Sequence, residues 1–314
     1  MKALQHVGAI VGAVVLASSI LGTNPVAKAA HVQTYGRDIA SYSFTSISNP
    51  ADPTFTQLLG INSANLIAGY YGSGADAQHP NKGFTLSLPL SFTPENFPNS
   101  AQTQVIGIND QNTTGGFYID MDGNTHGFVN IGGQFSTVDV PGTTFNQLLG
   151  VNNRGEQAGY YQFGPDTNVT FVPYIHQTNG LFLLLPIPNA QATGINDYDM
   201  VCGFLNDAQG SHGYLWRSGA SYLQIDYPGA ASTQILGINN QGQAVGSFTN
   251  SDKNTHGFVY NWYSRTFQQV DVPGASSTVV NGINRQGRIV GFFTDNTNNT
   301  VGFVGVPTRR HGSE

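Results

Sequence analysis

"GINNQGQAVGSF", residues 237–248, joins two short apolar stretches through a polar run that contains Gly242. Short apolar runs bounded by Asn, Gln and Gly read as two strands and the tight turn between them. Five further versions begin at residues 60, 107, 150, 194 and 282. Aligned on their asparagine (Asn62, Asn109, Asn152, Asn196, Asn239 and Asn284), the copies are separated by 47, 43, 44, 43 and 45 residues. A period in that range belongs to propeller blades.

Two further positions are fixed in every copy. Seven residues after the asparagine stands a glycine: Gly69, Gly116, Gly159, Gly203, Gly246 and Gly291. Three residues after it stand Asn65, Asn112, Gly155, Asp199, Gly242 and Gly287. Those residue types best tolerate positive φ, so this position is predicted to be the left-handed residue of a hairpin turn. The asparagine itself reads either as a cap on backbone groups of that turn or as a ligand contact, and its presence in six equivalent copies favours the cap.

Each copy holds four strand-like runs, as "TQILGIN", "QAVGSFT", "HGFVYNW" and "TFQQVDVP" show between residues 233 and 273. A proline turn follows the last run, at Pro98, Pro141, Pro188, Pro228 and Pro273. The sixth copy stops after three runs, whereas "SYSFTSISNP" (41–50) precedes the first copy without a partner. The predicted fold is therefore all-β: a six-bladed β-propeller of four-stranded blades over residues 42–306, closed by an N-terminal strand. Pairing Tyr42 to Ile47 against Val301 to Val306 completes the last blade and leaves no open edge. An open solenoid, the alternative, needs capping repeats that neither end shows.

Composition agrees with short strands and turns: 39 Gly, 15 Pro and 10% charged residues in 314. Lys2, the apolar run Val7 to Leu21 and the small-x-small Ala27-Lys28-Ala29 predict a signal peptide over 1–29, followed by a leader over 30–41. The apolar run falls short of the ~20 residues that span a bilayer, so no membrane span is expected. A tail over 307–314 follows the ring. Loss of Lys2 and Lys28 leaves 10 basic against 18 acidic residues, a net charge of −8, without the basic clusters that nucleic acid requires. A secreted monomer, extracellular or periplasmic, is the expectation. Cys202, the single cysteine, occupies the place of Val245 and Val290 and reads as a buried packing residue rather than a nucleophile.

The motifs "GINDQNTTGGFYIDMDGNTHGF", "GINDYDMVCGFLNDAQGSHGYLW" and "GINNQGQAVGSFTNSDKNTHGFVY" resemble the bacterial extracellular repeats of the HAF family, whose triplet stands here as His126-Gly127-Phe128, His212-Gly213-Tyr214 and His256-Gly257-Phe258. The resemblance covers nearly all of residues 42–306, with Lys82, Val169 and Val301 replacing the histidine in blades one, three and six. It implies export and a repeated β architecture, and it supplies no catalytic residues.

Candidate sites follow from chemistry. His126, His212 and His256 each open a third strand, too far apart to share one zinc ion, so each reads as a cap on its own blade. Asp120 and Asp122, in Asp-Met-Asp-Gly-Asn, are candidate calcium ligands, but Ile131 stands where an EF-hand would place its bidentate Glu; a plain Asp-Gly turn is the alternative. Otherwise no cofactor is expected. Glu95 and Glu156 break the repeat, but they fall in turns on opposite faces of the ring.

No nucleophile elbow, Walker loop, dinucleotide fingerprint or His-Glu-x-x-His is present. Propeller sites assembled from single residues escape such motifs, so enzymatic activity stays open. Tyr71, Tyr118 and Tyr161 follow the second-strand glycines near polar loops such as "QFGPDTNVT" and "TNSDKNTHG"; together with the three histidines they are the candidate ligand contacts. Tyr, Asn and Asp suit sugar recognition. Three readings remain in order: a secreted binding module for a glycan or other extracellular polymer, a polysaccharide hydrolase or lyase, and a protein-interaction scaffold. The acidic balance favours a neutral or uronic-acid-poor polymer for the first.

Overall fold

Positive φ at one position per repeat sets up the architecture: Asn65 at 65°, Asn112 at 62°, Gly155 at 85°, Asp199 at 59°, Gly242 at 76° and Gly287 at 76° in a computed structural model. At each of them the chain reverses and two antiparallel strands pair, as the residue types predict. The structure describes residues 41–164, 169–251 and 253–308. The predicted signal peptide, the leader up to residue 40, the tail beyond Thr308 and part of the loop "QFGPDTNVT" lie outside the described residues.

The strands form six four-stranded antiparallel sheets, with no helix among the described residues. Blade five is typical, with strands Ser232–Ile238, Gln243–Thr249, Thr255–Asn261 and Thr266–Val270 in sequence order. Blade six has Ser277–Ile283, Ile289–Thr294 and Thr300–Thr308, and its outer strand is Ser41–Ile47 from the other end of the described chain. Ser43 lies opposite Val306 and Ile47 opposite Gly302, so the predicted closure holds. It runs one residue earlier and two residues further than the predicted 42–306, because Ser41 pairs with Thr308. The fold is a six-bladed β-propeller.

Strand direction alternates, so the turns after first and third strands share one face and the remaining loops share the other. The innermost strands shift register once in every blade, between Leu58 and Gly60 in blade one, and this bulge leaves Leu59 outside the ladder. Glycine is required at the approach to the axis. A Cβ on Gly60 would lie 2.5 Å from the Ile106 carbonyl oxygen, and one on Gly150 would lie 2.8 Å from the Gly194 Cα.

Both faces of each blade are buried against neighbours. Leu58 and Phe84 of blade one pack with Ile47, Val290 and Val304 of blade six, whereas Ala68 packs with Val105 and Phe128 of blade two. The conserved spacing of the second-strand glycine now has a cause. Gly69 faces Phe84, and Gly116, Gly159, Gly203, Gly246 and Gly291 likewise face Phe128, Tyr174, Tyr214, Phe258 and Phe303 on the third strand. All six rings are at most 1% exposed. Burial of this kind contributes ~1.5–3 kcal/mol per large apolar side chain. Cys202 is fully buried and burial pushes its thiol pKa up to about 12, so it serves as packing.

Candidate functional site

On the face that carries the turns after first strands, each repeat asparagine is 3–6% exposed. Its Oδ1 accepts the backbone N–H groups two and four residues later, from Ala64 and Leu66 in the case of Asn62. Its Nδ2 donates to the carbonyl oxygen of the next blade's asparagine. These contacts run Asn62 to Asn109, then to Asn152, Asn196, Asn239, Asn284 and back to Asn62, at 3.1, 3.0, 3.2, 3.2, 3.0 and 3.1 Å. The amide is the predicted turn cap and also an inter-blade clasp, closed into a circle.

The residue after each asparagine forms a second, outer collar. Ser63 N–H donates to Asp110 Oδ1 at 2.8 Å, Asp110 N–H to Asn153 Oδ1 at 2.8 Å, Asn153 N–H to Asp197 Oδ1 at 2.7 Å, and Asp197 N–H to Asn240 Oδ1 at 2.9 Å. Side-chain amides add to it: Asn153 Nδ2 donates to Asp197 Oδ2 at 2.9 Å and Asn240 Nδ2 to the same oxygen at 2.6 Å. Partial burial opposes ionisation of Asp197, but the Asn153 and Asn240 donors and the Arg154 charge hold its carboxyl below the usual range. Blade six supplies Arg285 to this collar, which has no oxygen in its side chain to offer.

Inside the collars runs a channel. Its mouth, about 80 Å³, is lined by Ser63, Asp110, Asn153, Asp197, Asn240 and Arg285. Below it a ring of Ile and Val side chains and a ring of glycines enclose a throat of about 90 Å³. Thr193 and Asn281 stand in the throat where other blades place Leu59, Ile106, Leu149 and Leu236. Tyr70, Phe117, Tyr160, Phe204 and Phe292 pack with those apolar side chains in one buried cluster along the axis. Tyr198, which follows Asp197 in the chain, is 59% exposed, and in the turn between the third and fourth strands of blade five Tyr263 is 76% exposed with its ring against Gly242. Arg154 pairs with both Glu156 and Asp199. The face offers hydroxyl-binding amides and carboxylates, one cation at the channel and exposed aromatic rings.

The residues singled out from sequence lie elsewhere. Tyr161 is buried, and Tyr71 packs beside the Phe84 ring at 6.5 Å. Tyr118 is stacked between Phe97, at 3.7 Å, and His126, at 5.0 Å, with its hydroxyl on Thr137. His126 Nδ1 lies 2.6 Å from Asp139 and Nε2 lies 3.2 Å from Asp120. His212 sits 3.1 Å from Asp226 and 3.3 Å from Asp207, and His256 sits 3.0 Å from Asp271. Each imidazole ties the start of a third strand to the end of the fourth within its own blade. Desolvation opposes protonation of His126, but its bonds to Asp139 and Asp120 raise its pKa overall. A sequence signal for these pairs exists. Asp139, Asp226 and Asp271 stand two residues before the turn proline only in the blades that carry the histidine.

Asp120 caps its own turn, accepting the Asp122 and Asn124 N–H groups at 2.9 and 2.8 Å and the Asn124 amide at 3.0 Å. Although burial opposes it, those donors and His126 hold its carboxyl at about 2. Among the described residues no group of three or more His, Cys, Asp and Glu is placed to hold a metal ion. Glu95 bonds Thr114 of the next blade while Glu156 joins Arg154 and Asn152, so the two glutamates share no partner. Among the described residues no helix is long and apolar enough to cross a membrane.

No family model and no curated protein matches the sequence. Solved structures do. A putative gluconolactonase aligns with a TM-score of 0.53 at 10% identity, over 86% of this chain and 97% of that one. The β-propeller domain of the Trilobed protease from Pyrococcus furiosus, described as having an open velcro topology, aligns at 0.52 and 10% identity over 87% and 91%. A mutant of the Aleuria aurantia lectin in complex with Fucα1-6GlcNAc aligns at 0.50 and 12% identity over 83% and 98%. TolB from Acinetobacter baumannii aligns at 0.52 and 9% identity over 80% of this chain, which spans 63% of that TolB chain. At these identities the likeness is one of fold.

Proposed function

We propose that this propeller is an exported binding module for a glycan or another extracellular polymer, and that contact is made on the face of the asparagine turns. One observation carries the reading: the open polar mouth formed by Asp110, Asn153, Asp197, Asn240 and Arg285, with exposed Tyr198 following Asp197 in the chain. Amide and carboxylate groups at fixed spacing match sugar hydroxyls, and an exposed ring covers an apolar sugar face. The N-terminal apolar segment and the resemblance to HAF repeats support export. The lectin among the structural neighbours supports the class of ligand through its own bound disaccharide.

The mouth of about 80 Å³ is far below the ~300–1,000 Å³ of pockets that engulf a ligand. Binding is therefore expected to be weak, with one mouth engaging one short stretch of polymer. Incubation with a panel of plant and bacterial polysaccharides, followed by a pull-down and a product assay, tests the reading. Retention without turnover, lost in Tyr198→Ala, is the expected result. New reducing ends or unsaturated uronates assign a hydrolase or lyase instead, and retention on no polymer assigns a scaffold for protein contacts.

A further inference from the structure

The outer collar is regular at four of its six junctions and broken at the two that flank Arg285. In blades one to four the N–H after the repeat asparagine meets an Oδ1 from the next blade at 2.8, 2.8, 2.7 and 2.9 Å. The equivalent N–H of Asn240 looks to Arg285, whose side chain carries donors only. The N–H of Arg285 looks in turn to Ser63, whose hydroxyl donates to Asp110 Oδ2 at 3.0 Å. Gln286 bridges the seam differently, donating to the Ser63 carbonyl at 3.3 Å. Two backbone donors thus face no Oδ1 at the junctions beside Arg285, an exposed residue that lines the mouth.

We propose that this gap is a carboxylate site, and that the polymer bound by the module carries an acidic group such as a uronate, which the gap receives. The identity of the carrier rests on the glycan reading above; the carboxylate site does not. An oxygen already occupies the matching place in four blades, so the backbone is preorganised for one in the gap. A guanidinium adds a planar fork that matches a carboxylate. The mouth holds about 80 Å³, small against pockets that engulf whole ligands, which suits one small anionic group on a larger molecule.

The opposing charges are Asp110 and Asp197. Asp110 is occupied by the Ser63 N–H and hydroxyl and by Asn153, and Asp197 by Asn153 and Asn240. The Asn240 amide lies between Asp197 and the gap, on the Asp197 side. Both carboxylates weaken the attraction without filling the gap, so binding is weak and falls with added salt. Local donors override the acidic balance of the chain, from which a preference for neutral polymers is otherwise expected.

Titration with sodium glucuronate, sodium acetate, glucose and inorganic phosphate, followed through the backbone amide resonances of Asn240 and Arg285, tests the site. Glucuronate and acetate are expected to move both resonances and glucose to move neither. Arg285→Ala should weaken glucuronate about tenfold or more. Arg285→Asn should weaken the response further and raise Tm, because the new amide oxygen accepts the Asn240 N–H and fills that half of the gap. Equal responses to glucose and glucuronate, unchanged glucuronate binding in both variants, or tighter binding of phosphate than of either carboxylate would overturn the proposal. Retention on no polysaccharide, with the glucuronate response intact, removes the glycan reading and leaves the carboxylate site standing.

Discussion

Asn284 donates its side-chain amide to the backbone carbonyl of Asn62 at 3.1 Å, although 222 residues separate them. Five equivalent bonds link the remaining blades, so this contact is the sixth side of a closed hexagon. Each asparagine satisfies two turn N–H groups and one neighbouring carbonyl while buried. Replacing Asn109 by Ala leaves all three without that partner and should cost about 2 kcal/mol or more. Urea unfolding measures it, and a loss under about 0.5 kcal/mol, the size of an ordinary surface substitution, would mean that water replaces the clasp at no cost.

The closing strand should be indispensable. Ser41–Ile47 covers the edge of Thr300–Thr308, buries Ile47 to 2% exposure and sets Phe44 edge-on against Phe303 at 5.5 Å. Deleting residues 30–49 exposes that edge, and the protein should aggregate or melt much earlier. A monomer by size-exclusion chromatography with unchanged Tm would show that the edge tolerates solvent.

Turn geometry gives a sharper test at Gly287 than at Gly242. Both have φ of 76°, but a Cβ on Gly242 would lie 2.5 Å from the Tyr263 ring, whereas one on Gly287 meets nothing closer than 3.9 Å. Gly287→Val should therefore cost at least ~1 kcal/mol through φ alone, and Gly287→Asn much less. Equal melting temperatures for the two variants would remove backbone conformation as the reason for glycine there.

The clamp at His126 makes stability depend on pH with a definite sign. Its pKa is raised in the folded state, so its contribution is complete below ~6.5, the unfolded value, and disappears as pH rises through the folded value. Asp120, held at about 2, contributes above ~3.9 and fails as pH falls through about 2. Between ~4 and ~6.5 both act together. Urea midpoints from pH 5 to pH 8.5 should fall more steeply for the native chain than for His126→Gln; parallel curves would show that the imidazole does not titrate against its aspartates.

What the sequence reveals depends on how locally each feature is decided. Positive φ at Asn65 or Gly287 is a property of one residue and its turn, and the residue types announce it. Blade number and closure follow from the period and from an unpaired strand at each end. The tyrosines are harder, because alternation along a strand separates two faces without saying that either is wet. In a propeller both faces are covered by neighbouring blades, so Tyr161 is buried and Tyr118 is sandwiched. The mouth at Arg285 escaped notice for the opposite reason: its partners lie one blade away, and only the ring geometry brings the residues after each asparagine together.

The strand that closes blade six also sets the order in which the molecule assembles. Ser41 and Thr308 are 267 residues apart, whereas Ile238 meets Ala244 within a single hairpin. Chain entropy makes the distant pairing about 3 kcal/mol harder to initiate, since closure costs grow with the logarithm of loop length. Each hairpin gains its first contacts early, but the opening strand has to wait for almost the whole chain before its partner exists. The joint inside blade six, between Ser41–Ile47 and Thr300–Thr308, is thus expected to be the last to form and the first to open.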